Sequence, residues 1–271
     1  MINKDLILNS EVYDYPWEHQ IVDNIIDAES FNRIRSICKH LVDRENIKKY
    51  PLLTKKMKQA CMGSFNLSQS FHVYDLINAG VSEDTVELLH DISQEFLEIT
   101  SEIHSKYSNP RFFDNYQAIT QINMDFQGVP RDVHDEYPIK SVSVVIYLDP
   151  EENEATALHL DESDESIVKI PEWKLNRGLI FCGEENKTWH SCKVKENKKI
   201  RFAFCVFLVD VNAAPMMISP LSPGGRVAMR WVDYKFSNSK VAKCIDMDYN
   251  DTLIPYEIQM KNNFNGKLTK K

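Results

Sequence analysis

The stretch VHDEYPIKSVSVVIYL, residues 133–148, decides how the chain folds. In its second half Val142, Val144, Ile146 and Leu148 fall at every other position, with Ser141, Ser143, Val145 and Tyr147 between them. A period of two belongs to a strand, because successive side chains leave a pleated backbone on opposite faces. In the first half, His134 and Glu136 stand two apart, so an extended backbone aims an imidazole and a carboxylate at the same side. A metal-competent pair thus runs directly into a strand.

Outward from this stretch the same period recurs. Ile122, Met124 and Phe126 alternate with Asn123 and Asp125, and Phe202, Phe204, Val206 and Leu208 alternate with Arg201, Ala203, Cys205 and Phe207. Gly178 to Cys182 is a further short apolar run, and Gln127-Gly128, Asp149-Pro150 and Gly183-Glu184 supply turns. Upstream of Pro110 the period is helical. From Asp27, an N-cap residue type, Phe31, Ile34, Ile37 and Leu41 predict a helix to about Val42. From Ser82, the positions Val86, Leu89, Ile92, Phe96, Ile99 and Ile103 predict a second helix that ends before Ser108-Asn109-Pro110. Residues 44–80 carry mixed signals and receive no assignment. Helices followed by closely spaced strands predict an α+β fold, with a sandwich or barrel packed on a helical layer. Proline and glycine between Ala213 and Gly225 mark a boundary, Arg226 to Phe236 reads as one more strand, and residues 266–271 read as a frayed tail.

Composition removes several classes. With 271 residues and 43% apolar side chains the chain can bury a core, which excludes disorder, collagen and coiled coil as descriptions of the whole. Thirty-two basic against forty acidic residues give a net charge of −8, which argues against nucleic acid as a partner held by bulk electrostatics. The longest apolar run, Phe202 to Val209, falls far short of the ~20 residues that span a bilayer, so no membrane insertion is expected. The first residues lack the apolar core and cleavage site of a secretory signal. Six cysteines without a Cys-x-x-Cys pair suit buried thiols in a reducing compartment, and a cytoplasmic location is the expectation.

Of eight histidines, His19, His40, His72, His90 and His104 read as surface or packing residues. His190, in Thr188-Trp189-His190-Ser191, follows the Gly178 to Cys182 strand and a turn, and offers a third ligand to His134 and Glu136. Two histidines and a carboxylate make the facial triad of non-haem Fe(II) oxygenases, which leaves positions open for co-substrate and oxygen. Arg201 opens an apolar strand eleven residues past His190, where an unpaired charge is costly. It calls for an anion, and a guanidinium fork suits a carboxylate.

His134-x-Glu136, His190 and Arg201 together resemble the iron(II)/2-oxoglutarate-dependent dioxygenases, in their prolyl-4-hydroxylase-like branch. Residues 133–148 resemble that branch's ligand motif running into a strand that ends Tyr-Leu. Asn176-Arg-Gly-Leu-Ile-Phe181 resembles the approach to its distal Trp-His ligand, and Tyr15-Pro-Trp-Glu-His-Gln-Ile-Val-Asp-Asn-Ile-Ile26 resembles its entry. The likeness runs from about residue 13 to 210. It implies a double-stranded β-helix, or jelly-roll, core at 111–210 against an N-terminal helical layer at 1–110. Fe(II) would be held by His134, Glu136 and His190. The far carboxylate of 2-oxoglutarate would pair with Arg201 and contact Tyr147, with ascorbate as an accessory reductant. The implied outcome is hydroxylation of a small-molecule or peptidyl substrate, with release of succinate and carbon dioxide. One departure stands out: the family's carboxylate ligand is usually the Asp of His-x-Asp, and here it is Glu136. Residues 211–271 match nothing in the resemblance; covering the substrate opening and pairing subunits into a homo-oligomer are the two roles open to them.

His159-Leu-Asp161 is a rival by spelling, yet it stands only 29 residues before His190 and runs into Asp161-Glu-Ser-Asp-Glu165 rather than a strand. The 134/136 pair is therefore preferred. Two other readings of the same barrel stay open. One is a cupin-like metalloenzyme that does not use 2-oxoglutarate and gives Arg201 no role; the other is a non-catalytic binding or assembly module.

Overall fold

The structure is a computed structural model and describes residues 1–42, 69–71, 76, 81–114, 116–126, 131–136, 140–198 and 200–210. The expected boundary at 213–225, the strand at 226–236 and the whole 211–271 extension lie outside the described residues. Among the described residues no helix is long and apolar enough to cross a membrane.

Among the described residues four α-helices with defined bounds form one layer. α1 (Lys4–Asn9) is short, and α2 (Ala28–Val42) begins where the Asp27 carboxylate accepts the Ser30 backbone N–H at 2.9 Å, an N-cap bond. Phe31, Ile34, Ile37, Cys38 and Leu41 bury one face of α2. α3 (Glu83–Glu98) buries Val86, Leu89, Ile92 and Phe96 in the same way. The second helix was expected to run unbroken to Ile103, but it stops at Ile99 and resumes as α4 (Thr100–His104). Thr100 accounts for the break, since its hydroxyl donates to the carbonyls of Phe96 and Leu97 and competes with the backbone ladder.

The larger sheet has four long central strands: β4 (Tyr116–Phe126), β6 (Lys140–Asp149), β9 (Gly178–Cys182) and β11 (Ile200–Asp210). Shorter strands flank them: β1 (Val12–Tyr13), β2 (His19–Val22) and β3 (Gln69–Phe71), in the order β1-β2-β9-β6-β11-β4-β3. The smaller sheet orders β5 (Arg131–His134), β10 (His190–Cys192), β7 (Ala157–His159) and β8 (Ile167–Lys169) as β5-β10-β7-β8. From β4 to β11 the chain crosses between the sheets at every step except the β7–β8 hairpin, and every strand pair is antiparallel. That winding is a jelly-roll. The residues expected to form only a helical layer also contribute β1, β2 and β3, which extend the larger sheet at both edges.

The apolar runs of β6 and β11 exist because both of their faces are buried. Val142, Val144, Ile146, Leu148, Phe202, Phe204, Val206 and Leu208 pack with the helices. Val145, Tyr147, Ala203, Cys205, Phe207 and Val209 point between the sheets, with Leu179, Phe181, Trp17 and Trp173. Trp17 also ties the sheets together, donating its indole N–H to the His159 carbonyl at 3.2 Å.

Candidate metal centre

β5 and β10 are neighbours, and His134 is the direct cross-strand partner of His190. Their rings lie 4.3 Å apart between centroids. β5 ends at His134, so Glu136 reaches the pair from the turn that follows rather than from an extended backbone. The Lys140 N–H donates to the Glu136 carbonyl at 3.1 Å. Glu136 Oε1 stands 3.4 Å from His190 Nε2 and 3.9 Å from His134 Nε2. One ligand atom from each of the three residues lies within 4.8 Å of the others. Among the described residues this is the one cluster with that property.

The surroundings fix each donor. The His190 Nδ1–H donates to the Thr188 carbonyl at 2.8 Å, which leaves the Nε2 lone pair facing the carboxylate. Phe181 packs edge-on against the same ring at 4.9 Å. Burial pushes the Glu136 carboxyl up, but the Lys140 ammonium, with His190 and His134 beside it, holds it well below the usual carboxylate range. Lys140 makes an ion pair with Glu136 Oε2 and sits 3.6 Å from the centre of the Phe207 ring. With Oε2 engaged, Oε1 is the oxygen turned to the imidazoles. Gly183 lets its backbone approach that of Lys140, since a Cβ there would stand 2.6 Å from the Lys140 carbonyl oxygen, while Glu136 Cβ at 3.5 Å would be in ordinary contact.

The donor set fits a first-row divalent ion. At ligand distances of ~2.1 Å, adjacent donors in an octahedral shell stand about 3 Å apart, and Glu136 Oε1 need approach the His190 and His134 nitrogens by less than an ångström from its 3.4 and 3.9 Å separations. Beneath them Ser143, in register between Phe181 and Phe207, carries a buried hydroxyl with no hydrogen-bond partner among the described residues. Such an orphan suits a polar group entering from the metal side.

Arg201 and Tyr147 lie further along the same interior and do not touch the triad. Arg201 is 2% exposed. Its Nε donates to the Glu154 carbonyl at 3.1 Å, one terminal nitrogen to Asp125 Oδ2 at 2.6 Å and the other to Thr156 Oγ1 at 3.3 Å. The guanidinium lies 5.6 Å from the Tyr147 ring centre and 5.4 Å from that of Trp173, which are themselves stacked at 4.6 Å. The Tyr147 hydroxyl accepts the Thr156 N–H at 3.1 Å, and burial raises its pKa. The rival His159 is fully buried, with Nε2 at 2.7 Å from Ser191 Oγ and Nδ1 at 3.0 Å from the Ser163 carbonyl, so both ring nitrogens are engaged. Cys182 and Cys192 are buried thiols, and burial pushes the Cys182 thiol well up. Reading the sequence missed Lys140, Gly183, Asp125 and Thr156. Lys140 and Gly183 did sit beside the motif; Asp125 faces Arg201 from 76 positions away.

No protein-family model and no curated protein matches the sequence. Among solved structures the chain is similar to the rice dioxygenase for auxin oxidation, with a TM-score of 0.51 at 10% identity over 72% of this chain and 74% of that one. The chain shares the fold of that dioxygenase. Weaker similarity is found to a Trichoplax adhaerens prolyl hydroxylase bound to a hypoxia-inducible-factor degradation-domain peptide, with a TM-score of 0.49 at 14% identity over 72% of this chain and 84% of that one. A Pseudomonas putida prolyl-4-hydroxylase gives a TM-score of 0.47 at 9% identity, over 71% and 92% of the two chains.

Proposed function

We propose that the protein is an Fe(II)- and 2-oxoglutarate-dependent dioxygenase that hydroxylates an amino-acid side chain, free or within a peptide, and that residues 1–210 form its catalytic unit. One observation carries this reading: two imidazoles and one carboxylate, drawn from β5, the turn after it and β10, converge with their donor atoms within 4.8 Å. Three protein donors on one side leave the other side of an ion open. Bound there with 2-oxoglutarate and oxygen, Fe(II) would supply the oxidant for C–H hydroxylation, with succinate and carbon dioxide released.

The chain's own residues have distinct tasks. His134, the most exposed of the three at 37%, closes the centre on its open side, while buried Glu136 and His190 form its floor. Thr188 holds the His190 proton on Nδ1, and Lys140 turns Glu136 Oε1 inward. Tyr147, Trp173 and Thr156 build the far wall around Arg201, where the second carboxylate of the co-substrate would be received. A metalloenzyme that does without 2-oxoglutarate is the second reading, and the pairing of Arg201 with Asp125 favours it.

The test is Fe(II)-dependent succinate release from 2-oxoglutarate, measured against a panel of peptides, proteins, amino acids and nucleotides. His190→Ala is expected to abolish it. Turnover retained in that variant removes His190 from the centre, and absence of succinate with every substrate in the wild type favours the second reading.

A further inference from the structure

Arg201 is the single buried cation at the far end of the interior among the described residues, and it is already answered. Asp125 is its direct Cα partner across the β4–β11 ladder, so the backbone register itself delivers the carboxylate. Asp125 is 0% exposed, accepts from the guanidinium at 2.6 Å, and has the Cys192 thiol 3.5 Å from the same oxygen. Three of the five guanidinium N–H groups donate to Asp125, Thr156 and the Glu154 carbonyl. The rings of Tyr147 and Trp173 lie within 5.6 Å of the guanidinium carbon.

We propose, resting on the 2-oxoglutarate reading above, that Asp125 determines co-substrate specificity by competing with the far carboxylate of the 2-oxo acid for Arg201. The competitor is covalently tethered and held in register, so it acts at the high effective concentration of an intramolecular group. A second carboxylate on the same guanidinium would stand about 5 Å from Asp125, where repulsion at an effective dielectric of about 20 weakens binding on the order of a hundredfold. A 2-oxo acid with an uncharged end meets no such repulsion and rests against aromatic surface. The pocket therefore discriminates little between a dicarboxylic 2-oxo acid and one that lacks the second carboxylate.

Calorimetric binding to the Mn(II)-loaded full chain tests this without turnover, using 2-oxoglutarate and 2-oxopentanoate, the same carbon chain with a methyl in place of the far carboxylate. The wild type is expected to bind the two within tenfold of each other. Asp125→Asn is expected to bind 2-oxoglutarate at least tenfold tighter than the wild type, with 2-oxopentanoate unchanged. A wild-type preference for 2-oxoglutarate above tenfold overturns the inference, and that measurement needs no variant to fold. So does a folded Asp125→Asn protein that gains nothing for 2-oxoglutarate. Binding of Mn(II) but of neither acid is a separate result, which overturns the 2-oxoglutarate reading and this inference with it.

Discussion

Gly183→Ala tests how the glutamate is seated in the metal centre. The added Cβ would stand 2.6 Å from the Lys140 carbonyl oxygen, a backbone atom, whereas ordinary contact begins near 3.4 Å. About 0.8 Å must be found by moving one strand end against the other. The Lys140 N–H is bonded to the Glu136 carbonyl, so the turn carrying the carboxylate moves with it. Overpacking of this kind costs about 1–3 kcal/mol. A displacement near 1 Å in a reacting geometry costs about a hundredfold in rate. Gly183→Ala is accordingly expected to bind Mn(II) at least tenfold more weakly and to melt several degrees lower. The assays are a metal titration followed by paramagnetic resonance and a thermal unfolding curve. Gly178→Ala is the control: its Cβ would meet the Ile25 Cδ1 methyl at 2.4 Å, the end of a side chain that can turn aside. Native metal affinity in Gly183→Ala, or equal losses in both variants, would refute the reasoning.

Arg201→Ala leaves the Asp125 carboxylate buried without its guanidinium, and a loss of about 3–5 kcal/mol is expected from urea unfolding, with Mn(II) affinity retained. Burial lowers the pKa of both His19 and His104 to about 4, so each is neutral in the fold and takes up its proton on unfolding. Their contribution is complete above pH ~6.5 and is lost as the pH falls towards 4, at most about 3 kcal/mol each. Unfolding curves at pH 7.5 and 5 should show that decline, and equal stability at the two values would rule it out. Asn176→Ala removes an amide that accepts from the Ile26 N–H at 3.1 Å and donates to the Ile26 carbonyl at 2.6 Å, from a residue at φ 60°. About 2–4 kcal/mol should be lost, and Asn176→Gly should recover only the backbone share.

What could be read from the sequence follows from how local each cause is. α2 and α3 declared themselves because one apolar face repeats over several turns, and β6 and β11 because burial on both faces makes a long apolar run. β1, β2 and β3 have two to four residues each, too few to establish a period, and they exist through their neighbours in the sheet. The break at Ile99 depends on one threonine hydroxyl, which no apolar pattern reports. At the candidate site, His134 and Glu136 drew notice because they adjoin in sequence, yet Glu136 arrives by a turn beyond the strand end. Asp125 is the instructive omission. In the alternation of β4 it reads as the solvent-facing polar position, but that face lines the space between the sheets and holds Asn123 against Cys205 as well. Only the register with β11 reveals that a buried cation waits opposite.

The direct pairing of His134 with His190 has a dynamic corollary. An ion gripped by both rings would brace β5 to β10 as a crosspiece, while the larger sheet, anchored by its own core and the helices, would scarcely feel it. Withdrawing the ion should therefore quicken amide hydrogen exchange at residues 131–134 and 190–192, leaving β6 and β11 as slow as before.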